Sequence, residues 1–209
     1  MSDKYTPPRQ GMVDGIIEEA KFSDPIYLTH PNIPKPLHGQ NPRTILGQTW
    51  WDKKRQETYA KNNYCCWACG ISKYNAKYHH WLEAHESYLI DYRQGEARLK
   101  EIVALCHSCH NFIHSGRMYM MYLKGELSKD KCLDILQHGF SILENAGLEP
   151  FMGTVMVWNE ISEEQRSGGS DPDKNGWFAD WNKWHLVIEG NRYYSKFRDI
   201  EDWADYYGN

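Results

Sequence analysis

A chain of 209 residues, 41% hydrophobic and 25% charged, with nine Trp and fourteen Tyr, can bury a sizeable core and lies outside the composition range of disordered proteins. Its formal charge of −4 argues against a surface coated in nucleic-acid-binding charge. The distribution is uneven, however, with 12 Lys/Arg against 7 Asp/Glu from Arg43 to Lys124 and 6 against 11 from Glu160 to Asn209, so a polyanionic partner is expected to meet the middle of the chain.

Residues 1–48 carry Pro7, Pro8, Pro25, Pro31, Pro34, Pro36 and Pro42 and predict an extended arm, with one short apolar-periodic piece from Met12 to Ala20. The first residues show neither the basic nor the apolar part of a secretion signal. No stretch reaches the ~18 apolar residues of a membrane span, so the expectation is a cytoplasmic chain with no membrane partner. Thr49 is the expected N-cap of a helix reaching Lys61. A short aromatic-rich strand is predicted over Tyr78 to His85, and a second basic-apolar run covers Ala97 to Ala104. Cys109 to Tyr122 fits a helix interrupted near Ser115-Gly116. Ser128 should cap a helix from about Lys129 to Ala146 that ends at Gly147, with Leu133, Leu136, Phe140 and Leu143 on its packed face.

The stretch 167–176 has loop chemistry and marks the best boundary in the chain. Beyond it, Trp184 to Ile188 and Arg192 to Phe197 flank Glu189-Gly190-Asn191 as a hairpin, and Asp199 can cap a last helix through Tyr207. The expected fold class is α+β. Its divisions are an arm (1–48), a central module (49–125), a helical extension (126–166), a linker (167–176) and a hairpin-helix subdomain (177–209).

Cys66-Trp67-Ala68-Cys69 and Cys106-His107-Ser108-Cys109 are separated by 36 residues and supply four thiolates from two tight turns. Such a set suits a closed tetrahedral zinc site that stabilises the fold and has no open position for catalysis. Cys65 and Cys132 are left over, Cys132 reading as a small buried apolar residue. His110 and His114 are four apart and share a helix face, and His85 can add a third nitrogen from the preceding strand. Three imidazoles leave positions open on a divalent ion for phosphate and water. The plainer alternative is that His110 and His114 cap or pack around the zinc turn.

Leu82-Glu83-Ala84-His85-Glu86, followed by Ile102 through His114 with Cys106, Cys109, His110 and His114 in step, resembles the zinc-containing form of the HNH endonuclease family over roughly residues 62–117. Asn41-Pro42-Arg43 and Trp50-Trp51 are similar to segments of bacterial and phage members. The resemblance implies a central ββα-metal (treble-clef) zinc module and a metal-dependent endonuclease that hydrolyses DNA phosphodiesters. His85, His110 and His114 would hold Mg2+ or a similar ion. The family's general-base histidine falls at Glu86, and its orienting asparagine falls near Glu101. A carboxylate with an ordinary value of about 4.3 is a weak base near neutrality unless burial raises it. The catalytic set expected is therefore His85, Glu86, His110 and His114, with His79, His80 or His107 as substitute bases if Glu86 ligates the metal. The two departures also admit a catalytically degenerate scaffold that binds nucleic acid or protein.

Arg43, Lys53, Lys54, Arg55, Lys73, Lys77, Arg93, Arg98 and Arg117 are the candidates for phosphate contact. Trp177, Trp181, Trp184 and Trp203 could stack on unpaired bases. In an acidic segment they fit core packing or a protein interface better.

Overall fold

The computed structural model describes residues 19–170 and 178–208. Among the described residues the chain is a mixed α+β structure with one four-stranded sheet and seven α-helices. No helix among them is long and apolar enough to cross a membrane. The piece expected at 12–20 falls almost wholly outside the described residues, as do 171–176 of the linker and Trp177.

The arm is less extended than its prolines suggest. Pro25–Thr29 and Lys35–Leu37 form 3-10 turns, and Pro42–Leu46 forms α1, each with a proline in its first two positions. Proline lacks only an N–H that a helix start leaves unpaired, and its fixed φ suits the turn. Asn41 and Thr44 close a reciprocal capping box on α1. Gly47, at φ 88°, ends α1 and begins α2 (Gln48–Lys61). The expected cap at Thr49 is therefore displaced: the chain leaves one helix and enters the next without the extended residue that a Thr cap requires.

A tight turn follows. Cys66 N–H donates to the Ile71 carbonyl at 2.8 Å and Gly70 N–H to the Cys66 carbonyl at 2.9 Å, while Cys65 and Ser72 form an isolated antiparallel bridge. Residues 78–82 then run irregularly, with Tyr78 at φ 78°, and β1 begins only at Glu83. The strand expected over 78–85 thus starts five residues later. Lys77 and Tyr78 both bond Asp134, and this anchors the loop.

Strands β1 (Glu83–Asp91) and β2 (Glu96–Leu105) form an antiparallel hairpin with a register shift between Ser87 and Tyr88. The N–H of Tyr88 at this bulge donates to Nε2 of His30 from the arm, at 2.9 Å. β2 runs directly into α3 (His107–Ile113), and His114 joins it to α4 (Ser115–Leu123). α5 (Lys129–Asn145) is capped by Ser128 and followed by Gly147 at φ 66°, as its sequence predicts. α6 (Met152–Ser162) completes the helical layer.

The C-terminal hairpin does not stand apart as a subdomain. β3 (His185–Ile188) pairs in parallel with the start of β2, and β4 (Asn191–Tyr194) closes the edge. Its turn has two residues, Glu189 and Gly190, both at positive φ, the conformation that matches the twist of a tight hairpin. Asp199 caps α7 (Ile200–Tyr207).

Two apolar cores result. The larger gathers Trp67, Leu105, Phe112, Leu136, Phe140, Trp158 and the buried Cys66, Cys106, Cys109 and Cys132. The smaller gathers Leu37, Tyr88, Ala97, Trp184, Leu186 and Ile188, with β2 spanning both.

Candidate metal centres

Cys66, Cys69, Cys106 and Cys109 come together so that all four sulfurs lie within 4.8 Å of one another, a group that could hold a metal ion. Cys66 and Cys69 flank the turn that leads to Gly70, while Cys106 and Cys109 open the first turn of α3. The Trp67 N–H donates to the Ala104 carbonyl at 2.8 Å, which fixes the first pair against the end of β2. The Cys69 and Cys106 sulfurs are 3.9 Å apart. Thiolates around one ion at ~2.3 Å sit about 3.8 Å from each other, so this pair is spaced as two zinc ligands would be. Hydrogen bonding among the sulfurs lowers the Cys106 thiol and raises Cys69 and Cys109. One residue escaped the sequence reading: His138 on α5 places Nε2 3.5 Å from the Cys109 sulfur. Nothing in the local sequence could have pointed to it, because α5 reaches the cluster only through packing on α3.

His85, His110 and His114 form the second group, also within 4.8 Å. The ring centroids are 4.9 Å apart for His85 and His114 and 4.7 Å for His110 and His114. His85 is 5% exposed, and neither of its ring nitrogens has a hydrogen-bond partner. A buried imidazole normally satisfies at least one nitrogen, so two orphaned nitrogens facing two further histidines are the signature of donors arranged for a cation. Burial, then the neighbouring histidines, push His85 well below its ordinary value. Burial and His110 push His114 down to about 3. Both are thus neutral at pH 7, the form that binds metal. His30, which no motif singles out, stands beside them with its ring 5.5 Å from His85.

Glu83 lies on the same face of β1 as His85, two residues earlier. Its Oε2 accepts from Nδ1 of His110, and its Oε1 lies 2.9 Å from Nδ1 of His107 and 3.0 Å from Nε2 of His79. Burial alone would raise this carboxyl, but the bonds from His107 and His110 outweigh it and hold Glu83 below the usual carboxylate range. The bond to His110 fixes the proton on Nδ1 and leaves Nε2 as the lone-pair nitrogen. Glu83 was legible only as part of a motif; its bridging position was not.

Alternation along β1 places Glu86 with Tyr88 on the opposite face from His85. Glu86 is partly buried. Burial raises its carboxyl, opposed in part by its own backbone N–H and by His110 and Arg43. Glu101, near the expected orienting position, accepts from the Tyr27 hydroxyl at 3.1 Å and sits 3.5 Å from Lys100, so it is engaged by the arm. Of the substitute bases, His79 and His107 meet at Glu83 and His80 is exposed.

The basic candidates divide. Lys53 and Lys54 pair with Glu57, Arg55 with Asp52, Lys77 with Asp134 and Arg98 with Glu96. Lys73 sits over the rings of Tyr64 and Tyr74. Arg93 lines a surface hollow with Phe178 and Lys183, away from the histidines. Arg117 and Arg43 are the two whose charge is felt at the site, by His114 and Glu86 respectively.

Among the described residues the C-terminal tryptophans are engaged internally. Trp181 donates to the Phe197 carbonyl, Trp184 is buried and Trp203 donates to His38.

No protein-family model, curated protein or solved structure matches this chain.

Proposed function

We propose that the chain is a metal-dependent endonuclease of the HNH type that hydrolyses DNA phosphodiester bonds. The observation that carries the reading is the buried His85, with both nitrogens unpartnered and His110 and His114 turned to it. The order of elements supports it: a Cys66–Cys69 turn, the β1–β2 hairpin, then Cys106 and Cys109 at the start of α3 follow one another as they would in a treble-clef module of that family, in which zinc would be the structural ion. His85, His110 and His114 would hold Mg2+ or a similar divalent ion, which when bound stabilises charge on the leaving oxygen of the scissile phosphate.

The chain's own residues supply the rest. Glu83 holds the His110 tautomer. Arg117 and Arg43 neutralise flanking phosphates without reading sequence. Glu86, whose carboxyl burial raises and which feels the charge of His110, is the residue this reading assigns as base for the attacking water. The test is nicking of supercoiled plasmid by the purified protein with Mg2+, Mn2+, Ni2+ or Zn2+ added in turn. Cleavage that is lost on chelation and in His85→Ala supports the reading; plasmid left intact with every ion overturns it.

A second reading, a non-catalytic binding module on the same scaffold, is favoured by the alternation of β1, which turns adjacent Glu86 and His85 to different sides of the strand. Binding of a labelled DNA duplex without cleavage under any ion would replace the nuclease with that reading.

A further inference from the structure

We propose that His79, Glu83 and His107 form a second divalent-cation site, of the zinc, cobalt or nickel class, joined to the His85–His110–His114 centre through the carboxylate of Glu83. Its donor atoms make a small triangle. His79 Nε2 and His107 Nδ1 are 2.8 Å apart, and each lies about as far from the same oxygen of Glu83, at 3.0 and 2.9 Å. Ligands on adjacent positions around an ion with ~2.1 Å bonds are separated by roughly 3.0–3.4 Å, close to these spacings.

Hydrogen bonds alone do not account for the triangle. With a proton on both facing nitrogens, two N–H groups oppose each other at 2.8 Å. With a proton on one, the other nitrogen turns a lone pair toward the carboxylate oxygen. A cation in the middle satisfies all three donors at once, as two imidazoles and one carboxylate do in three-ligand zinc sites.

The rings are held in place before any ion arrives. Trp81 stacks on His79 at 3.7 Å with the planes 1° apart, and Tyr78 meets His107 edge-on at 5.4 Å. Asn111 donates to the His107 carbonyl at 2.9 Å within the first turn of α3. The side chains of His79, Glu83 and His107 are 13%, 24% and 19% exposed, enough for an ion with open positions to meet solvent or a ligand oxygen. Residue types set the class of ion: two imidazoles favour zinc, cobalt or nickel over magnesium. Because Oε1 of Glu83 belongs to this site and Oε2 to His110, the two centres share one carboxylate. The inference concerns ion binding and does not rest on the nuclease reading.

The experiment is a Co2+ titration of the full chain with its tightly bound zinc in place, counting cobalt per chain by equilibrium dialysis. The expected result is two cobalt ions in the wild type, one in the double variant His79→Gln/His107→Gln and one in His114→Gln. The proposal is overturned if the double variant binds as many as the wild type, or if the wild type binds none. A wild type that binds a single ion decides by which variant loses it: loss in the double variant supports this site and counts against the His85 centre, and loss in His114→Gln does the reverse. Retained zinc reports that the variants fold. Anomalous diffraction at the cobalt edge from wild-type crystals asks the same question without a substitution. A peak among His79, Glu83 and His107 supports the site, and a peak at His85 without one here overturns it.

Discussion

Glu86 shows how burying one carboxyl can weaken the fold over part of the pH range. Burial raises its carboxyl, so the folded chain holds this proton more tightly than the unfolded chain does. That contribution is fully present below the unfolded value of about 4.5 and is lost as pH rises through the raised folded value. Above the raised folded value, without added divalent ion, an ionised Glu86 is therefore a cost. Glu86→Gln is expected to match the wild type near pH 4 and to melt at the same temperature or higher at pH 7, on a scale of about 2–4 °C per kcal/mol for a chain of this size. If Glu86 is the base, the same variant loses cleavage by about 10²–10⁴-fold. Melting curves at the two pH values, paired with plasmid nicking, check both parts. A variant that melts lower at pH 7 defeats the stability argument; one that still cleaves at the wild-type rate moves the base elsewhere. At this scale the four cysteines and His85, His110 and His114 were legible, because knuckle and helix spacings are local. His30 and His138 were not, because each reaches its cluster only through tertiary packing, and His79 was read as a substitute base but not as a partner of His107, 28 residues away.

At the scale of elements, both His110 and the Cys106–Cys109 pair depend on where α3 sits, and α5 sets that position. Gly139 on α5 lies directly under Phe112 of α3, and a Cβ added there would fall 2.2 Å from the Phe112 ring. Phe112 is fully buried and stands edge-on to Phe140 at 5.2 Å, so it has little room to retreat. Alanine gains up to ~1 kcal/mol of helix propensity over glycine. Overpacking typically costs about 1–3 kcal/mol, so the clash should win and Gly139→Ala should lower stability despite being the better helix former. Urea unfolding of the two proteins measures the difference; a variant of equal or greater stability would show that α3 can shift and that its placement is soft. The apolar face of α5 and its Ser128 cap were readable from periodicity. The parallel pairing of β3 with β2 was not, since the Glu96–His185 register joins segments far apart in the chain and no local signal records it. The late start of β1 escaped for a different reason: the aromatic run at 78–81 looks like strand material but is used to brace His79, His107 and Asp134.

For the whole molecule the four-cysteine cluster is part of the main core and not an appendage to it. Cys66, Cys106 and Cys109 are buried in the same apolar cluster as Phe112, Leu136 and Phe140. The arm is fastened there too: Asp24 N–H donates to the Trp67 carbonyl at 2.7 Å, and Phe22 meets Trp67 edge-on at 5.0 Å. Further along, the arm ties to the other end of the sheet through the Ser195 hydroxyl, which donates to the Pro36 carbonyl. β2 then carries any disturbance between the cores, with Val103 to Leu105 in one and Ala97 in the other. Structural zinc contributes roughly 10–16 kcal/mol of apparent binding free energy, against a net stability of about 5–15 kcal/mol for a typical domain. Stripping the ion with a strong chelator should therefore abolish the cooperative melt and the near-ultraviolet dichroism of Trp67 and its neighbours in both cores together. His114→Gln, which touches only the histidine centre, should keep both signals while losing its exchangeable ion. A chelated protein, shown by elemental analysis to be zinc-free, that still melts cooperatively within a few degrees of the native one would mean that the four sulfurs are not what holds α3 to the hairpin.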